Sequence, residues 1–65
     1  MELILSEEEK KNNCSIRIEV HKYDNMDEYL NHSNMWMKAG FVQSVLYKVK
    51  NSIYVTYTRI IELDN

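Results

Sequence analysis

Residues 25–61 read NMDEYLNHSNMWMKAGFVQSVLYKVKNSIYVTYTRII. The first half of this stretch has the period of an amphipathic helix, and the second half has the period of a β-hairpin. Asn25 is a good N-cap, and Glu28 follows three residues later, as a capping box requires. Asp27 and Glu28 suit the positive end of the helix dipole. Met26, Tyr29, Leu30, Ser33, Trp36 and Met37 recur at spacings of three and four, which makes them the expected inward stripe. Asn31, Asn34 and Lys38 fall on the opposite side. Gly40, the only glycine, can adopt the left-handed backbone that ends a helix, with Phe41 folding back on the last turn. The helix is thus expected over about residues 26–39. Trp36 should be largely buried, and its truncation to alanine should cost roughly 3–5 kcal/mol.

Beyond Gly40 the apolar period changes to two. Phe41, Val45, Tyr47 and Val49 share one face of a first strand, and Ile53, Val55, Tyr57, Ile61 and Leu63 share one face of a second. Both sets lie on one side only if the loop is Lys50-Asn51-Ser52. That register pairs Val49 with Ile53, Tyr47 with Val55, Val45 with Tyr57 and Phe41 with Ile61. Burial of one face is expected to dictate it, because a one-residue slip turns every side chain over.

Towards the N-terminus, residues 14–23 alternate cleanly. Cys14, Ile16, Ile18 and Val20 are expected to face the core; Ser15, Arg17, Glu19, His21 and Tyr23 are expected to face away. Residues 1–5 suit a short edge strand, and the polar run of residues 6–13 reads as a loop. These elements predict an α+β fold in the order ββαββ, with an antiparallel or mixed four-stranded sheet packed on one helix. Strand order is open at this stage.

Sixty-five residues make one small domain, residues 1–65, with a core about one side-chain layer thick. Cys14 is the only cysteine, so no disulfide forms within the chain. Small scaffolds without disulfides or metals commonly rely on a partner. The N-terminus lacks the basic and apolar regions of a signal peptide, and no apolar run approaches the ~18 residues of a membrane span. A cytoplasmic protein with no membrane association is expected.

Ten acidic residues against eight basic ones give a net charge of −2. This balance, with its basic residues scattered, argues against a bulk attraction to nucleic acid. No phosphate loop or catalytic constellation is present. His21, His32 and Cys14 match no zinc spacing, so no catalytic residue, cofactor or metal is expected. No family motif is recognisable. The Lys/Asn/Ile usage and the absence of proline resemble those of small proteins from AT-rich Gram-positive bacteria or their phages.

The outward face of the hairpin carries Val42, Leu46, Tyr54 and Ile60, where a solvated sheet face normally turns polar. Such patches mark interaction sites. With Tyr23 and Arg17 on the neighbouring strand they form the candidate protein interface. The expectation is a non-enzymatic protein-binding regulator or inhibitor, phage-encoded if the compositional resemblance holds. It would act through this sheet face or an edge strand, on another protein or a second copy of itself as a homodimer. The alternative is a small single-stranded nucleic-acid-binding module using Arg17, Lys48, Lys50, Tyr23 and Tyr54.

Overall fold

The computed structural model describes residues 1–62. The chain runs β1 (Glu2–Lys10), β2 (Cys14–Tyr23), α1 (Met26–Lys38), β3 (Val42–Val49), β4 (Ser52–Glu62). This is the expected α+β fold in the order ββαββ. The four strands form one antiparallel sheet in the order β1-β2-β4-β3. β2 and β3 both run against β4, so they are parallel to each other. The helix carries the chain over β4, which later inserts between them.

The helix is bounded as its caps require. The Asn25 side chain accepts a hydrogen bond from the Glu28 N–H at 2.9 Å. At the other end Gly40 has φ 95°. Its N–H donates to Met37 O at 3.1 Å, and the Phe41 N–H donates to Trp36 O at 3.0 Å. These are the two bonds of a Schellman ending. Tyr29, Ser33 and Trp36 face the sheet as expected, joined by the half-buried His32. Met26, Leu30 and Met37 are exposed. A lone helix touches a sheet along a narrow strip, so the flanks of its apolar stripe stay in water. Trp36 itself is half-buried.

The helix covers only part of the sheet. Thirteen residues rise about 20 Å, whereas the molecule is 45 Å long. The apolar core is correspondingly small: Tyr23, Phe41, Ile53, Val55 and Tyr57, with Tyr29 and Trp36 packed against it.

Three expectations about the sheet also need correction. First, β1 does not stop at residue 5; it runs through Glu7-Glu8-Glu9 to Lys10. Every residue of β1 is exposed. An edge strand needs no apolar anchor, and charges there discourage unwanted pairing. The turn is confined to residues 11–13, closed by a 2.8 Å bond from Lys11 N–H to Cys14 O.

Second, β2 presents its other face to the helix. Glu19 pairs with Tyr57, His21 with Val55 and Tyr23 with Ile53, so the polar set lies over the core. Cys14, Ile16, Ile18 and Val20 point away. Alternation identifies two faces but does not say which one the helix covers.

Third, the hairpin turns through two residues, Lys50-Asn51, with Val49 opposite Ser52 and Tyr47 opposite Tyr54. Lys50 takes φ 56°, a conformation that favours glycine. Val45 is paired with Thr56 and Leu46 with Val55. A register shift between Gln43 and Val45 then restores the opposite parity, placing Gln43 against Tyr57 and Val42 against Thr58. This bulge lets Phe41 join the core while Val45, Tyr47 and Val49 face away from the helix. An expectation that Leu63 continues the inward set lies outside the described residues.

Candidate functional site

Two side-chain assemblies carry chemistry, one on each face of the sheet. Under the helix lies a hydrogen-bonded cluster. Glu19 is 3% exposed and His21 is 6% exposed. Arg17 Nε donates to Glu19 Oε2 at 2.7 Å, and His21 Nε2 lies 3.0 Å from Glu19 Oε1. Among the described residues, His21 Nδ1 has no hydrogen-bond partner. Alongside, Trp36 Nε1 is 2.6 Å from His32 Nε2. Indole N–H can only donate, so His32 Nε2 accepts and the ring is held neutral with its proton on Nδ1. That proton is donated to Tyr23 Oη, 2.5 Å away. Tyr23 Oη and Tyr57 Oη share a further hydrogen bond at 2.9 Å.

The ionisation of these groups follows from their surroundings. Burial holds the His32 pKa below its ordinary value, and the nearby His21 lowers it further, against opposing pulls from Glu19 and Glu28. Burial drives the Tyr23 hydroxyl well above the usual phenol range, helped by its bond to Tyr57. Tyr23 and Tyr57 are both fully buried. The cluster therefore presents no reactive atom to solvent through these hydroxyls; it fastens helix to sheet. Among the described residues, no group of three or more His, Cys, Asp or Glu is arranged to hold a metal.

The other face has no element of the described chain over it. β2 contributes Cys14, Ile16, Ile18 and Val20, all half-buried. β3 contributes Val42, Val45, Tyr47 and Val49, all exposed. From β4 come Tyr54, Thr56, Thr58 and Ile60, and from β1 comes Leu5, opposite Val20. The Tyr47 and Tyr54 rings stack here, with centroids 5.3 Å apart. A depression of about 480 Å³ beside the β3 bulge is lined by Gly40, Val42, Ser44, Thr58 and Ile60.

Of the expected interface residues, the structure brings together Val42, Tyr54 and Ile60 on this open face. Val42 is 66% and Ile60 64% exposed. Leu46 is not among them. The two-residue turn and the bulge place it opposite Val55, on the helix side. Tyr23 also falls away from the set, because β2 presents that side chain to the helix. Arg17 is exposed on the helix side, tied to Glu19. The basic and aromatic residues of the nucleic-acid alternative are likewise split. Tyr23 is buried, Tyr54 is on the open face, Arg17 and Lys48 lie on the helix side, and Lys50 is in the turn.

Sequence reasoning missed Ile16, Ile18 and Val20 as surface residues because their alternation reads as core. One signal does separate the two faces of β2. Its second face ends in His21 and Tyr23, bulky rings able to pack as well as to bond. Among the described residues, no helix is long and apolar enough to cross a membrane. No family model, no curated protein and no solved structure matches this chain.

Proposed function

We propose that this protein is a non-enzymatic binding module that regulates or inhibits another protein by docking it on the open face of the sheet. A single observation supports the reading most: the cleanest apolar row in the sequence, Ile16, Ile18 and Val20, lies on the face that the helix does not cover. Polar groups can occupy the helix side of β2 because they are bonded to one another. The aliphatic row on the other side is unexplained until something removes it from water, a transfer worth about 25 cal/mol per Å² of apolar surface. Edge strand β3 borders the same face and widens it.

The test is a double substitution at the centre of that face, Ile18→Lys with Ile60→Lys. Both side chains point away from the helix, so the helical circular dichroism should persist. The wild type should stay a monomer alone and form a heavier species in sedimentation after incubation with lysate, and the variant should remain a monomer in both. A wild type that stays monomeric throughout, or a variant that keeps the same complex, refutes the proposal.

A further inference from the structure

The charges around the open face narrow its partner. β1 places Glu2, Glu7 and Glu9 on this face, opposite Lys22, Ile18 and Ile16. Glu8 alternates to the other side, where it accepts a hydrogen bond from Ser15 at 3.0 Å. Glu62, opposite Cys14, adds a fourth carboxylate at one end. Lys22 is the single cation on the face among the described residues, and it already stands opposite Glu2. Glu7 and Glu9 form no ion pair or side-chain hydrogen bond among the described residues. The face is therefore an apolar plate with an uncompensated acidic column along one side.

Its size suits a stable contact. Four strands about 4.8 Å apart, about 34 Å long at β2, give a plate on the order of 600 Å² in projection. The accessible area of a corrugated sheet exceeds its projection. A stable interface takes about 800 Å² from each partner.

A second copy fits the charges badly. Two copies meeting face to face are related by a two-fold axis lying between the sheets. If the axis runs along the strands, β1 faces the β3 of the other copy. By register Glu7 then meets Val42, and Glu9 lies level with Ile60, beyond the start of β3; neither meets a cation, because Lys48 points to the helix side. If a centred axis runs across the strands, β1 faces β1. Glu7 then meets its own symmetry mate and Glu9 meets Leu5. Neither arrangement brings a cation to the middle of the acidic column. Burying like charges together, or a charge against apolar surface, works against association.

We infer that the face is covered by a different protein, through an apolar strip flanked on one side by lysine or arginine, as on a basic amphipathic helix laid along β1 and β2. This rests on the binding role proposed for the open face. The test uses the whole chain with labelled isoleucine methyls and two helical peptides of about 18 residues. One is built of leucine and lysine, the other of leucine and glutamate in the same pattern.

The leucine–lysine peptide should shift the methyls of Ile16 and Ile18 and spare Ile53 under the helix. Glu7→Gln with Glu9→Gln should weaken it roughly three- to ten-fold, as should added salt. The leucine–glutamate peptide should bind at least about ten-fold more weakly. Equal binding of both peptides at Ile16 and Ile18 leaves the open face as a docking surface and refutes the basic partner. No shift at those methyls with the leucine–lysine peptide refutes it too. Self-association that shifts them in the chain alone, or a single-stranded oligonucleotide that does so, makes the occupant something else and overturns the inference.

Discussion

The two faces of this sheet invert the usual relation between polarity and burial. Beneath the helix, β2 buries a carboxylate and an imidazole; on the bare side the same strand carries three aliphatic residues in a row. Buried polar groups are tolerated when they are bonded to one another. The Arg17–Glu19–His21 and Trp36–His32–Tyr23–Tyr57 chains meet that condition apart from His21 Nδ1. The half-buried aliphatic row has no such compensation among the described residues. The contrast assigns different work to the faces: the covered one defines a single helix–sheet arrangement through bonded, specific contacts, and the open one offers area.

The contrast breaks first if the covered face proves dispensable. Trp36 packs edge-on to Phe41 at 4.5 Å and stacks on Tyr57 at 5.9 Å, besides donating to His32. Trp36→Ala removes the ring and leaves His32 Nε2 without its donor. A loss of about 3 kcal/mol is expected in urea unfolding, a large part of a small domain's stability. A loss below about 1 kcal/mol would mean that the helix is held by something other than this cluster.

Glu19 comes next. Glu19→Ala leaves His21 buried without its acceptor and frees Arg17, at an expected cost of about 2 kcal/mol. Replacing both partners, Glu19→Leu with His21→Leu, should recover most of that loss, because two apolar side chains need no bonds under the helix. If the double variant is no more stable than Glu19→Ala, the buried pair contributes more than its own satisfaction.

Much of this arrangement was legible in the sequence, and the illegible part has one cause. The helix, its caps, the inward placement of Tyr29, Ser33 and Trp36, and the strand character of residues 14–23 follow from local chemistry: Asn25, Gly40 and the apolar periods. Which face of β2 meets the helix is a tertiary choice. It depends on His21, Tyr23 and Glu19 finding His32, Trp36 and Tyr57 on other elements, which no pattern within β2 reveals. The β3 register failed for the same reason. It follows from burial only if Val45, Tyr47 and Val49 are buried, whereas they belong to the open face. Val42, Tyr54 and Ile60 do lie away from the helix, because the sets that meet it are Ile53, Val55 and Tyr57 on β4 and Phe41 at the start of β3.

A smaller effect distinguishes the faces by pH. The His32 pKa in the folded chain lies below the ordinary 6.5, so the unfolded chain binds the extra proton first. As far as His32 is concerned, stability is full above pH 6.5. It falls as pH drops below that value and levels off once the folded form is protonated too. The slope within this window is at most about 1.4 kcal/mol per pH unit for one proton. Protonation also costs the bond from Trp36, since Nε2 can no longer accept. His32→Gln should remove this component of the slope when urea midpoints are compared across pH 5 to 8. An unchanged profile would show that His32 is not the group sensing pH under the helix.

The smallest expected effect is on the open face, and it is the sharpest test of the contrast. Ile18 sits at the middle of the bare sheet opposite Thr58, with Glu7 on its other side. Ile18→Thr keeps a β-branched side chain, so strand propensity is nearly unchanged. What it removes is apolar surface that the isolated chain leaves partly in water. Unfolding of the purified variant should therefore shift by no more than about 0.5 kcal/mol. Replacing a buried isoleucine by threonine would instead cost well over 1 kcal/mol, for the lost methylene and an unbonded hydroxyl. A large loss in the free chain would mean that Ile18 belongs to a core, and the two faces would no longer differ in the way proposed. A small loss in the free chain, joined to a clear weakening of binding by the leucine–lysine peptide, places the missing burial in the complex rather than in the fold.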